Sequence, residues 1–228
     1  MRKLLVLVGL VVLAGSIAMA QEVPTAEAYV GYTFIRVNTA GQVNSFTPSG
    51  GLGAFQVNFS KNFGIVAELG GTYKEGASIA GPDRPLEQTQ FTYLFGPRIF
   101  VNKAGRFNPF FEYLIGGVHN SRSFPVPNSA IPLGFTVPSG VTADVGATTT
   151  RFRTTQNAFA MAVGGGLDVK LSRLIAVRLI QLDYLPTHFS PLNIPGVGNI
   201  YGTNDTRWQN NLRYSGGITF RFGSGIGF

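Results

Sequence analysis

The sequence predicts an all-β fold: an eight-stranded antiparallel up-and-down barrel that crosses a membrane with its strands. Three observations predict it. First, stretches of about ten residues, in which apolar side chains alternate with small or polar ones, recur along the chain, and period two is the strand signal. Second, these stretches are joined alternately by short basic turns and by long connections rich in Pro, Gly, Thr and Asn, the asymmetry of a barrel whose ends face different compartments. Third, 30 Gly and 19 Phe stand beside only 13% charged residues. A soluble sandwich alternates too, but it turns a polar face to water. Here one face of each stretch is aromatic or aliphatic and the other small or polar, as a wall between lipid and a narrow lumen requires. No long apolar run follows the first segment. Open sheet edges cannot be satisfied in lipid, so a strand-built membrane protein must close.

The elements follow in order. Arg2 and Lys3, the apolar run from Leu4 to Leu13, and Ala18-Met19-Ala20 before Gln21 form a cleaved secretory leader, 1–20, leaving one barrel domain, 21–228. The first strand, 27–37, sets Val30, Tyr32 and Phe34 against Gly31, Thr33 and Ile35, with the aromatics toward lipid. After a loop at 38–50, strand two, 51–60, shows Phe55, Val57 and Phe59 against Ala54, Gln56 and Asn58. Ser60-Lys61-Asn62-Phe63 is a tight turn into strand three, 64–73, with Ile65, Ala67, Leu69 and Tyr73 outside and Glu68 and Thr72 inside. A loop at 74–88 carries Pro82 and Pro85, which cannot donate to a ladder. Strand four, 89–101, places Phe91, Tyr93, Phe95 and Ile99 opposite Thr92, Leu94, Gly96 and Arg98; Pro97 on its outer face predicts a bulge or a rim position.

The turn at 102–108 holds Lys103 and Arg106, and strand five, 109–118, has Phe111, Tyr113 and Ile115 out and Glu112 in. The longest connection, 120–155, with Pro125, Pro127, Pro132 and Pro138, reads as irregular. Strand six, 156–169, aligns Ala158, Ala160, Ala162, Gly164, Gly166 and Asp168 on one face; the Gly164–Gly166 run inside a strand permits close approach or bending and is no phosphate loop. Lys170-Leu171-Ser172-Arg173 turns into strand seven, 174–184, where strict alternation puts Arg178 in but Asp183 out. A charge facing mid-membrane is costly. The conflict predicts a bulge near Leu179–Ile180, or Asp183 at the rim. A loop at 185–207 leads to strand eight, 208–222, with Leu212, Tyr214, Ile218, Phe220 and Phe222 outside and Arg213, Ser215, Gly217, Thr219 and Arg221 inside. Trp208 and the terminal aromatics suit an interfacial girdle.

Val30-Gly31-Tyr32-Thr33-Phe34, Tyr93-Leu94-Phe95-Gly96-Pro97-Arg98, Gly164-Gly165-Gly166-Leu167-Asp168-Val169 and Gly217-Ile218-Thr219-Phe220-Arg221-Phe222 resemble the small eight-stranded OmpA/OmpX-type barrels, especially the barrel-only outer membrane protein β-barrel domains. The resemblance covers nearly all of the mature chain. It implies a bacterial outer-membrane location, with periplasmic termini and extracellular long loops. It also implies an assembly signal for the outer-membrane insertion machinery in Ser215, Gly217, Phe220 and Phe222, with Phe228 as the alternative functional end. Larger members add a peptidoglycan-binding domain; the expectation here is the barrel alone.

The inward charges are Glu68, Arg98, Glu112, Asp168, Arg178, Arg213 and Arg221. An eight-stranded barrel is just wide enough for side chains to fill it, so such charges must pair. The expected clusters join Glu68, Arg98 and Glu112, and Asp168 with Arg178 across the third turn. A plugged lumen is preferred to a gated pore. His119 and Ser121 share one strand face, the geometry of a base and a nucleophile; lipid A deacylases are small barrels that use a lipid-facing His-x-Ser. That enzymatic alternative is outweighed because the spacing is common by chance and sequence positions no carboxylate to orient the histidine. His188 reads as a loop residue.

Cys is absent, which removes disulfide and thiol chemistry, and two His leave little for a metal site. No cofactor is expected. The net charge is +7, or +5 once Arg2 and Lys3 leave with the leader. It is scattered, which excludes a nucleic-acid patch and suits anionic lipopolysaccharide. The expected protein is a non-enzymatic, monomeric outer-membrane barrel with a structural or surface-interaction role. Its partners would be outer-membrane lipid, the insertion machinery and an extracellular ligand of the loops. A small-solute or ion channel is the first alternative and a lipid A-modifying enzyme the second.

Overall fold

Eight strands pair with their chain neighbours, and the first pairs with the last, so the sheet closes. The computed structural model describes residues 24–38, 45–78, 85–101, 106–194, 198–199 and 208–223. The expected leader 1–20, Lys103, Phe228 and the centres of three long connections lie outside the described residues. The strands are β1 (Ala26–Arg36), β2 (Ser49–Asn58), β3 (Phe63–Ser78), β4 (Pro85–Phe100), β5 (Phe107–Pro127), β6 (Val141–Val145), β7 (Thr149–Lys170), β8 (Ile175–His188), the short pair β9 (Asn193–Ile194) and β10 (Gly198–Asn199), and β11 (Trp208–Phe222). The wall runs β5-β4-β3-β2-β1-β11-β8-β7, and the β5–β7 ladder completes the circle. Closure joins the chain ends: Ala26 lies opposite Phe222 on one side and Val57 on the other. The tight connections at Ser60–Asn62 and Leu171–Leu174, and the one between β4 and β5, share that end of the barrel.

Alternation decides the faces. Val30, Tyr32, Phe34, Phe55, Leu69, Tyr93, Phe95, Tyr113, Ile115, Leu212 and Ile218 are all 40% exposed or more, and Thr33, Gln56, Glu68, Arg98, Glu112 and Arg213 are buried inside. The outer surface is therefore a continuous apolar belt. At the loop end Trp208 packs edge-on against Phe159 and His188, forming part of an aromatic rim.

Two features depart from the sequence expectation, and two alternatives that it left open are decided. The interior is not only small and polar: Val66, Leu94, Leu114 and Val118 face inward, and toward the loop end Ile35, Val37, Phe46, Leu86, Phe124, Phe152, Leu185 and Phe189 belong to the same cluster. A narrow lumen needs its volume filled as well as its charges paired. The connection 120–155 is largely strand. β5 and β7 stay paired from Phe107↔Val169 to Pro127↔Thr149, well past the last β8 partner at Phe159↔His188, and β6 takes over that vacated edge of β7. Prolines misled here because β5 has no β4 neighbour beyond Ser123, and an edge strand tolerates the missing donor. Pro97 causes no bulge: the β3–β4 register runs unbroken through Ile65↔Pro97, three residues before β4 ends. Leu179 and Ile180 are consecutively exposed, and the register of β8 slips there against both β7 and β11. That bulge turns Gln181 and Asp183 inward.

The interior is packed against glycine. A Cβ at Gly166 would run into the Phe110 ring and the Ile180 carbonyl. Gly166→Val is expected to cost about 1–3 kcal/mol by overpacking, read as a lowered urea midpoint in detergent micelles. An outward Ile218→Arg is expected to cost about 2–4 kcal/mol in bilayers, and much less in micelles that admit water to the wall.

Candidate functional site

Among the described residues, five carboxylates (Glu27, Glu68, Glu112, Asp168 and Asp183) and five guanidiniums (Arg98, Arg122, Arg178, Arg213 and Arg221) are buried inside the barrel. The balance matters, because a buried charge without a counter-charge costs several kcal/mol. Nearest the turn end, Arg221 Nε donates to Glu27 Oε1 at 3.1 Å across the β1–β11 closure. Gln56 donates to the other Glu27 oxygen at 2.7 Å and accepts from Arg98 Nη1 at 2.8 Å. Arg98 in turn places Nε at 2.8 Å and Nη2 at 2.5 Å on one Glu112 oxygen. Both residues sit on paired positions of β4 and β5.

Arg178 forms a fork on Asp168, 2.7 Å from Nε to Oδ1 and 3.1 Å from Nη2 to Oδ2. Its guanidinium lies between two rings, 4.2 Å from the centre of Tyr29 and 4.5 Å from that of Phe110, and Arg98 covers Phe110 at 4.3 Å. A planar, weakly hydrated cation suits such stacking where a lysine would not. Gly31 and Gly217 leave the space that the Tyr29 ring occupies.

The middle layer belongs to Arg213. It bonds Glu68, which stands on β3 with β1 and β2 between, and it holds Asp183 on neighbouring β8 with Nη2 at 2.7 Å. Gln181 ties the layers together, donating to Glu112 at 2.7 Å and to Asp183 at 2.8 Å and accepting from Arg178 at 2.6 Å. Above it lies a ring of amides and hydroxyls, among them Gln88, Gln90, Asn120, Thr187 and Asn211, where Arg122 Nε donates to Gln88 at 2.7 Å.

Asp168 meets Arg178 and Arg98 meets Glu112. Glu68, expected beside Arg98, instead reaches across the lumen to Arg213. Sequence reasoning counts which charges face inward but not which of them span the barrel. Alternation begins the first strand at Glu27 without assigning it to the lumen, and the composition of 120–155 puts Arg122 in a loop. Alternation continued past His119 would have found Arg122 beside Asn120 and Phe124.

The remaining named residues lie elsewhere. Ser215 and Gly217 occupy the inner face of β11, and Phe220 and Phe222 its outer face at the turn end; Phe228 is outside the described residues. His119 and Ser121 both lie on the outer face of β5 toward the loop end, and His119 Nδ1 is 2.7 Å from the amide oxygen of Asn157. The histidine's orienting partner is an amide.

No family model matches the chain, and no curated protein sequence matches it. Solved structures do. OprG, an outer membrane protein of Pseudomonas aeruginosa, is 11% identical over 88% of this chain and 96% of its own, with a TM-score of 0.50. Ail, the attachment invasion locus protein of Yersinia pestis, in complex with the heparin analogue sucrose octasulfate, is 13% identical over 86% and 97%, also at 0.50. The fold is therefore that of a transmembrane β-barrel of the outer-membrane class. Within it, the closed eight-stranded antiparallel wall is of the OmpA/OmpX type.

Arg213→Met would strand Glu68 and Asp183 in the lumen and is expected to cost about 3–5 kcal/mol. Arg151→Met, which breaks an exposed pair with Glu87, should cost under about 1 kcal/mol. Urea titrations of the two variants in micelles read the contrast.

Proposed function

We propose that this protein is a non-enzymatic, lumen-plugged barrel of the bacterial outer membrane that presents a strand-built platform to the exterior for adhesion or binding. The observation that carries the reading is the projection of β5, β6 and β7 beyond the wall. In that projection β7 has lost β8 and is flanked by β5 and β6 instead. Phe135 packs edge-on against Phe152, which stacks on Phe124, so the segment between β5 and β6 is anchored onto the projection. At its surface Leu133, Val137 and Val145 stand exposed, apolar contacts of the sort that bind partners. The basic tight turns and both termini face the periplasm, export runs through the 1–20 leader, and the closing strand with Phe220 and Phe222 is what the insertion machinery recognises.

A plugged lumen is supported by three stacked layers: the Arg221–Glu27 and Arg98–Glu112 pairs, the Arg213 layer, and the apolar cluster at the loop end. An ion entering this path would have to displace buried pairs, which leaves an uncompensated charge. Purified wild-type protein in planar bilayers is expected to give no steady single-channel conductance; a stable conducting level overturns the plug and favours the channel reading. A tag inserted at Leu133 is expected to be detected on intact cells. Lipid A acylation is expected to be the same with wild-type protein and with Ser121→Ala, by mass spectrometry; loss of an acyl chain only with wild type would make the barrel an enzyme.

A further inference from the structure

Two hollows on the outside of the wall lie one above the other. The lower, of about 550 Å³, sits in the apolar belt across β2 to β5. Its cross-strand rows are Phe55–Ala67–Phe95 and, next toward the loop end, Gly53–Leu69–Tyr93. Small side chains make the floor and large exposed ones the ridges. A Cβ at Gly53 would meet only the Tyr29 carbonyl, 3.8 Å away, so the floor is not a packing requirement of the barrel. Further along the same strands the rows continue as Gly71–Phe91–His119–Asn157 and Tyr73–Thr89–Ser121–Thr155, ending at Ser123–Arg153. They enclose the upper hollow, of about 340 Å³, which is lined by His119, Ser121, Thr89 and Arg153 beside Tyr73 and Phe91.

Chemistry changes sharply between the two. The lower hollow holds aromatic and aliphatic surface. The upper holds the hydroxyls of Tyr73, Thr89, Ser121 and Ser123, an imidazole and a guanidinium, at the level where the outer faces of β4, β5 and β7 turn from Phe91, Ile115 and Phe159 to polar residues. Glu87 also lines it, but its carboxylate is held by Arg151 at 3.0 Å. Glu75 is hydrogen-bonded to the Tyr73 hydroxyl; among the described residues Arg153 has no acidic partner, so its guanidinium is the charge that an anion entering the hollow would meet. The two centres are roughly 15–20 Å apart at ~3.4 Å per strand residue, the reach of an acyl tail.

We infer that the β2–β5 wall is a binding site for one phosphorylated, acylated glycolipid of the outer leaflet, lipopolysaccharide: an acyl chain lies over Gly53 and Ala67, and a phosphate is held by Arg153 with the Ser121 and Thr89 hydroxyls. The inference rests on the proposed outer-membrane orientation for its biological source. Arg153 supplies the planar fork that phosphate accepts bidentately. The Asn157 amide oxygen accepts a hydrogen bond from His119 Nδ1, which fixes the imidazole at the edge of the hollow.

Native mass spectrometry of the delipidated full barrel, titrated with bisphosphorylated lipid A, dephosphorylated lipid A or phosphatidylglycerol, tests it. Wild type is expected to retain one bisphosphorylated lipid A and to prefer it over both others. Arg153→Gln should lose about tenfold in affinity, the scale of one charge-assisted hydrogen bond. Gly53→Leu should weaken all three lipids together. Arg36→Gln, which removes an exposed arginine at the same rim on β1, should change nothing. Gel mobility of unboiled samples verifies that each variant is folded. Equal affinity of Arg153→Gln and Arg36→Gln, or phosphatidylglycerol binding as well as lipid A, overturns the site. Failure to detect the Leu133 tag on cells would instead overturn the orientation, leaving the titration to stand on its own.

Discussion

Closure between β1 and β11 is the constraint on which everything else depends. In hydrocarbon no water satisfies a backbone N–H or C=O, so the first strand must find the last. The eleven paired positions from Ala26↔Phe222 to Arg36↔Leu212 achieve this. Once eight strands close, the bore is fixed, and the inward side chains inherit a volume they must fill. Outward residues face a solvent as apolar as themselves and need only be hydrophobic. Inward residues meet one another at close range and must agree in both size and charge.

That asymmetry explains the interior. Five acids and five arginines share it, and arginine is the sole buried cation among the described residues. A guanidinium can fork onto a carboxylate and still present its face to a ring, as Arg178 does with Asp168, Tyr29 and Phe110. The three-glycine run of β7 serves the same end. Gly164 stands opposite Asp183 and Gly166 opposite Gln181, so the wall is thinnest where the network is thickest. The loop end is filled by Phe46, Phe124, Phe152 and Phe189, and there the barrel resembles the core of a soluble protein.

The strand faces were legible because period two reports them directly, and Phe91, Tyr93 and Phe95 leave no ambiguity. The parity conflict in β8 was legible for the same reason: Arg178 and Asp183 cannot both point inward in a regular strand, and the structure has the bulge at Leu179–Ile180. Strand ends were less so. Composition marks 120–155 as loop, yet hydrogen bonding continues wherever two chains run side by side in water, and nothing local in Thr149–Thr155 says that β5 is its neighbour. Partner choice in the lumen was least legible, because Glu68 and Arg213 are brought together by curvature, a property of the whole sheet rather than of either residue. The two stacked hollows were invisible for a related reason: each row draws one residue from each of several strands.

The bulge in β8 also makes chain length a kind of information. Along the wall a strand keeps its register by counting in twos, so a gain or loss of one residue would exchange lumen for lipid over all that follows in that strand. At Leu179–Ile180 the count has already been broken once, and both side chains lie outside where either could be spared sterically. Removing one would restore regular pleating and at the same stroke send Gln181 and Asp183 into hydrocarbon. The odd residue is thus an inserted comma that keeps the second half of the strand in phase with its neighbours. Among related barrels, the position should tolerate changes of identity freely and changes of number not at all.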